Sequence, residues 1–174
     1  MERVTGGAAL PDRLRGGIVA LGNFDGFHAG HQAVVGRALT QARAAGRPAL
    51  VASFDPHPAR LFQPGLPPFA LTTVPQRCDL LAAFGMDGTV VIPFDRDLAA
   101  LSAEDFVGEW LVRRLGVAGV VTGGDFTFGK GRSGDVARLA ELGRAHGFTA
   151  EVVAPVQDGA GTISSTRILS LIHI

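Results

Sequence analysis

Gly22-Asn23-Phe24-Asp25-Gly26-Phe27-His28-Ala29-Gly30-His31 follows an apolar run, Gly17-Ile18-Val19-Ala20-Leu21, and leads into an amphipathic segment, His31 to Ala45. The order is strand, glycine-rich turn, helix. It sets two imidazoles, His28 and His31, close together where a helix begins. The first N–H groups of a helix lack intrahelical acceptors and the macrodipole makes that end partly positive, so an anion, above all a phosphate, is its natural occupant. Imidazoles that donate hydrogen bonds there suit a charged phosphorus transition state. A His-x-x-His pair can also bind zinc, although no third ligand stands at a recognisable spacing. Two plain surface histidines are the other alternative, weakened by the flanking glycines and the buried-type strand before them. The dinucleotide fingerprint G-x-G-x-x-G does not fit this turn.

Working outward, short β-branched runs alternate with helical patterns. Strands are expected at Gly17–Leu21, Ala49–Phe54, Thr89–Pro93, Gly119–Thr122 and Thr149–Ala154, and helices at His31–Ala45, Pro75–Phe84, Ala103–Leu115 and Asp135–His146. Ser102-Ala103-Glu104-Asp105 reads as a capping box, and Gly46, Gly116 and Gly147 read as helix stops. Such alternation predicts an α/β protein, a Rossmann-like doubly wound parallel sheet with helices on both faces. Ligands of these sheets bind beyond the carboxyl ends of the strands. Asn23 and Asp25 flank one such end. An Asp beside a polyphosphate can orient magnesium through water, and an Asn can fix the turn; an Asx-type turn is the competing role for Asp25.

At 174 residues, 47% hydrophobic and 18% charged, the chain suits a single globular domain rather than a disordered one. Its net charge is zero and it has no basic run, which speaks against non-specific nucleic-acid or anionic-membrane binding. One cysteine, Cys78, excludes an intrachain disulfide and fits a cytoplasmic setting. No apolar stretch is long enough to span a bilayer, and residues 1–17 carry no secretory core.

The longest irregular stretch runs from Asp55 to Val74 and holds Pro56, Pro58, Pro64, Pro67 and Pro68. It is either a surface excursion stiffened by proline or a flap over a ligand, with His57, Arg60 and Phe62 facing it. Gly124-Asp125-Phe126-Thr127-Phe128-Gly129-Lys130 nearly spells a P-loop, but Gly131 stands where the magnesium-binding hydroxyl belongs. Phe126 and Phe128 alternate, so one face of this segment could offer apolar surface while Asp125 accepts a hydrogen bond; core packing of the rings is the alternative. Ser164-Ser165-Thr166-Arg167 follows the last strand, where a serine could merely cap a helix or could hold phosphate beside Arg167.

Phe24-Asp25-Gly26-Phe27-His28-Ala29-Gly30-His31 resembles the HxGH signature of the nucleotidyltransferase superfamily, in the form found in the adenylyltransferase module of bacterial bifunctional riboflavin kinase/FAD synthetases. Ser53-Phe54-Asp55-Pro56-His57-Pro58, Leu71-Thr72-Thr73, the Asp125–Gly131 segment and Ile163-Ser164-Ser165-Thr166-Arg167 match the same family in order. The last resembles the ISSTxxR signature, although Leu169 stands where that pattern is basic, and residues 170–174 resemble nothing in the family.

The resemblance implies an FMN adenylyltransferase: ATP and FMN as substrates, FAD and pyrophosphate as products. Magnesium would be held through the ATP phosphates rather than by direct protein ligands. His28, His31, Asn23 and Asp25 would form the catalytic set. Gly22, Phe24, Gly30, Ser164, Ser165, Thr166 and Arg167 would bind ATP, and Phe54, Pro56, His57, Pro58, Phe62, Asp125, Phe126 and Phe128 would bind the flavin. The expected layout is a lead-in over residues 1–16, the adenylyltransferase domain over 17–169 and a non-family tail over 170–174, with the C-terminal riboflavin kinase module missing. A flavin- or nucleotide-binding module without turnover, and a nucleotidyltransferase with another acceptor, are the competing functions.

Overall fold

Each apolar run read above becomes a strand of one parallel sheet. The computed structural model describes residues 1–63, 65 and 69–172. Its strands are β1 (Glu2–Thr5), β2 (Ile18–Leu21), β3 (Ala49–Asp55), β4 (Gly88–Pro93), β5 (Gly119–Gly123) and β6 (Thr149–Val153). The helices are α1 (Ala29–Ala44), α2 (Pro58–Phe62), α3 (Val74–Phe84), α4 (Arg96–Ala100), α5 (Ala103–Phe106), α6 (Val136–His146) and α7 (Ser165–Ile172). A two-stranded hairpin, β7 (Gln157–Asp158) and β8 (Gly161–Thr162), precedes α7. Pro64, Pro67 and Pro68 of the proline-rich stretch, and residues 173 and 174 of the tail, lie outside the described residues.

The strand order is β1-β4-β3-β2-β5-β6, every neighbouring pair parallel. From β2 the chain winds to β3 and β4 on one side, then returns to lay β5 and β6 on the other. That reversal puts the topological switch at the carboxyl ends of β2 and β5, where a crevice opens in doubly wound sheets.

Alternation along β2 builds the two faces. Val19 and Leu21 join Leu50, Ile92, Phe106, Leu111, Leu139 and Phe148 in one core layer, under α5, its continuation and α6. Ile18 and Ala20 join Val35, Ala38, Val51, Leu81 and Val121 in the other, under α1 and α3. All four β2 residues are buried, as expected for a central strand covered on both faces.

Three features depart from the expected outline. The lead-in contributes an edge strand, β1, whose Val4 enters the core with Leu10 and Leu14. The helix expected at Ala103–Leu115 is continuous, but beyond α5 it winds more widely, with Leu115 N–H donating to the Trp110 carbonyl five residues back at 3.0 Å. At its start the Ser102 hydroxyl accepts from Asp105 N–H, and it also donates to the Asp105 carboxylate. The reciprocal capping box lies on α3 instead, between Thr73 and Gln76.

Candidate active site

The turn after β2 is held in a costly conformation. Phe24 and Phe27 both have positive φ, 54° and 40°, which non-glycine residues rarely adopt. Burial of the two rings offsets that cost: Phe24 is 2% exposed, and Phe27 packs edge-on against Phe84 at 5.2 Å. Gly26, also at positive φ, lies so close to Leu71 that a Cβ would come within 2.5 Å of it. The Phe24 side chain, expected to meet ATP, therefore belongs to the core, where it supports His31 edge-on at 5.4 Å. The Gly22 N–H is committed to the Ala52 carbonyl, which ties the turn to β3.

His28 is the N-cap of α1. Its Nδ1 accepts from His31 N–H at 3.4 Å, which puts the ring proton on Nε2 in the neutral form. The two rings stack with centroids 3.6 Å apart. Burial lowers the pKa of both, and for His31 the neighbouring His28 pushes further, to about 3, against an opposing pull from Asp25. Both imidazoles are neutral at physiological pH, so they can serve as hydrogen-bond donors rather than as cations. Since His28 Nδ1 is committed to the helix cap, only its Nε2 remains for a ligand. Among the described residues no group of three or more His, Cys, Asp or Glu side chains is placed to hold a metal ion.

Asp25 has a different partner set from the one expected. Its carboxylate accepts from Leu71 N–H at 2.9 Å, Thr72 N–H at 2.8 Å and the Thr72 hydroxyl at 2.8 Å. Burial alone would raise its pKa; these donors and the Arg77 guanidinium outweigh it and hold the carboxylate below its ordinary range. The expectation that Asp25 orients magnesium gives way to a fold role, because both oxygens are occupied in clamping the turn to the loop before α3. The Leu71-Thr72-Thr73 motif is the other half of that clamp.

The second helix start meets the first. Ser164 Oγ accepts from Arg167 N–H at 3.2 Å and caps α7, while Ser165 Oγ donates to the Asp25 main-chain carbonyl at 2.8 Å. Gly30 lies against the same segment: a Cβ there would stand 3.3 Å from the Ile163 carbonyl and 3.2 Å from the His28 ring. Thr166 is exposed in the first turn of α7. Arg167 departs from expectation. Its guanidinium forks onto Asp158 at 2.8 and 2.9 Å and also donates to the Gly161 carbonyl, clasping the β7–β8 hairpin. A surface pair of this kind is weak in water, so a polyphosphate could displace it.

The segments expected to hold flavin divide into floor and rim. Phe54 and Phe128 are each 7% exposed and belong to the core, contrary to expectation. They support the outer rings: Phe126 stacks on Phe128 at 5.7 Å, and Phe94, which packs edge-on against Phe54, carries Phe62 at 6.0 Å. Phe62 is 66% exposed on α2, and Pro56 and Asp125 are exposed as well. His57 caps α2, accepting from Ala59 N–H at 3.2 Å beside Pro58, and burial lowers its pKa. Phe94 had no motif to mark it.

Five buried polar atoms lack a partner among the described residues: Asn23 Oδ1, His31 Nδ1, Ser53 Oγ, Arg77 Nε and Thr122 Oγ1. Ser53, Asn23 and Thr122 sit at or just past the carboxyl ends of β3, β2 and β5, which are adjacent strands, and His31 and Arg77 sit in the first turns of α1 and α3. Since buried polar groups are nearly always paired, such a concentration at one rim leaves hydrogen-bonding capacity there for ordered water or a polar ligand to meet.

The family model described as FAD synthetase matches residues 10–167. The bifunctional riboflavin kinase/FMN adenylyltransferase of Escherichia coli K12 is 36% identical over 153 residues, covering 88% of this chain and 49% of that protein. The protein of the same description from Pseudomonas fluorescens is 36% identical over 168 residues, covering 97% and 54%. The chain thus spans about half the length of these relatives. A solved structure titled macrolide-efflux protein, from Streptococcus pneumoniae, superposes with a TM-score of 0.82 at 25% identity, covering 97% of this chain and 55% of that one. Among the described residues no helix here is long and apolar enough to cross a membrane. With its two helix starts joined at the switch point and the family model matched from residue 10 to residue 167, the chain belongs to the FAD synthetase family.

Proposed function

We propose that this chain is an FMN adenylyltransferase, joining the AMP moiety of ATP to FMN to give FAD and pyrophosphate. The observation that carries the reading is the bond from Ser165 at the start of α7 to Asp25 in the turn that leads into α1, with two neutral imidazoles stacked at the α1 start. One helix start binds a phosphate; two that face each other beside neutral donors suit a polyphosphate and the charge that develops on it.

No protein nucleophile is required. An oxygen of the FMN phosphate attacks the α-phosphorus in line, the bond from that phosphorus to the bridging oxygen breaks, and pyrophosphate leaves with the electron pair. The protein supplies position and charge stabilisation. His28 Nε2–H and a His31 N–H donate to the α-phosphoryl oxygens. The free N–H groups of α1 and α7, with Thr166, take the remaining phosphates, and Arg167 joins them on leaving Asp158. Magnesium, when bound to the triphosphate, would offset charge on the leaving group. The exposed Phe62 and the half-buried Phe126 offer apolar faces to the isoalloxazine, with Asp125 as an acceptor. The buried free thiol of Cys78 suits a reducing, cytoplasmic setting.

The test is chromatography of the protein with FMN, ATP and magnesium. FAD and pyrophosphate should appear in equal amounts. Faster turnover of another phosphorylated acceptor, such as 4′-phosphopantetheine, would overturn the choice of FMN.

A further inference from the structure

Arg77 is the least explained charge in the molecule. It lies in the first turns of α3 and is only 8% exposed, although arginine is almost never buried without a partner. Its nearest carboxylate oxygen, Asp25 Oδ1, is 3.9 Å from Nη2, too far for a hydrogen bond. Asp25 is in any case already filled by Leu71 and Thr72. Among the described residues Arg77 Nε has no partner, and no side-chain hydrogen bond from Arg77 is present. The guanidinium is a permanent cation with five donors. Leaving the buried Nε donor unmet is costly, and an anion bound by the fork of Nε and an Nη removes that cost.

The surroundings say which anion. The charged or titratable neighbours within electrostatic reach are Asp25 on the turn, Asp55 and His57 at the mouth of the proline-rich loop, His31 on α1, and Cys78 beside it on α3. Arg77 therefore stands on the β3 side of β2. The joined helix starts, with Gly30 against Ile163, lead from β2 toward β5 and β6. A triphosphate seated on the helix starts leaves the β3 side for the other reactant. That reactant must carry its own negative charge to the α-phosphorus, and a fixed guanidinium offsets the repulsion between the two.

We propose that Arg77 holds the phosphate monoester of the acceptor substrate, fixing the attacking oxygen by forked hydrogen bonds. This deepens the adenylyltransferase reading and rests on it. The planar fork matches a phosphate in a way a lysine ammonium does not.

The experiment compares the dissociation constants of FMN and riboflavin by flavin fluorescence, without ATP, in the intact chain, Arg77→Met and Arg77→Lys. The intact chain should prefer FMN. Arg77→Met should reduce that preference at least tenfold while riboflavin binding stays within twofold. An unchanged ratio in a folded Arg77→Met, or equal weakening of both flavins, overturns the proposal in favour of a purely structural arginine. If Arg77→Met does not fold, Arg77→Lys decides: a preference reduced at least threefold supports the forked contact, and an unchanged one overturns it. Because the ratio is read without turnover, an intact chain that makes no FAD overturns the activity while this ratio still decides Arg77. Failure to bind either flavin overturns both.

Discussion

Ser165 Oγ donates a 2.8 Å hydrogen bond to the main-chain carbonyl of Asp25, and so ties the start of α7 to the turn before α1, 140 residues away in the chain. The carboxylate of the same Asp25 turns the other way and accepts the N–H groups of Leu71 and Thr72. One residue thus holds the turn, the second helix start and the loop before α3 in register. In the proposed reaction, phosphate binding would depend on this junction more than on either signature alone.

Ser165→Ala removes the link and leaves the Ser164 cap intact. It should cost about 0.5–1.5 kcal/mol in urea denaturation. It should also raise the KM for ATP more than it lowers kcat, since it loosens phosphate binding in ground and transition states alike. A variant with unchanged KM would show that α7 does not need this bond to meet the nucleotide.

Asp25→Asn should destabilise the protein by roughly 3 kcal/mol, because the neutral amide cannot accept all three donors and leaves Arg77 without a counter-charge. The magnesium concentration for half-maximal activity should stay the same. The opposite pattern, normal stability with a raised magnesium requirement, would restore Asp25 as a metal-orienting group.

The parallel sheet was legible because central strands buried on both faces read as continuous apolar runs, as Val19 to Leu21 and Leu50 to Ala52 do. The turn after β2 was legible because its glycines directly follow an apolar run. What escaped the sequence has physical causes. Strand β1 has only Val4 buried among Glu2, Arg3 and Thr5, so no run marks it. The roles of Phe54, Phe128 and Asp25 turned on partners far along the chain, which local pattern cannot supply. Arg77 looks like any solvated helix arginine until the fold closes over it.

His31 has a folded pKa of about 3 against an ordinary 6.5, so between those values the unfolded chain binds more protons than the native one. Stability should therefore fall as pH drops below about 6.5 and be indifferent to this group above it, with a slope of at most about 1.4 kcal/mol per pH unit. His28 and His57, also lowered by burial, add in the same direction. Denaturation midpoints at pH 7, 6, 5 and 4 should show a shallower decline in His31→Gln. Parallel profiles would mean that His31 is solvated.

Phe62→Ala and Phe128→Ala should behave oppositely. Phe62 is exposed, so its loss should change stability by no more than about 0.5 kcal/mol while weakening flavin binding. Phe128 lies in the core, and its truncation should cost about 3–5 kcal/mol. If Phe62→Ala leaves the KM for FMN unchanged, α2 does not face the flavin.

The central claim is that the neutral imidazole pair at the start of α1 stabilises charge on a phosphorus in flight. The direct measurement is the rate of FAD formation from FMN and ATP by the intact chain and by His31→Ala, with ATP affinity measured alongside. Loss of one preorganised donor should raise the barrier by about 2.7–4 kcal/mol, a fall of roughly a hundredfold to a thousandfold in kcat, while ATP binds nearly as before. An intact chain that forms no FAD, or a His31→Ala variant that forms it at a near-normal rate, would contradict the account.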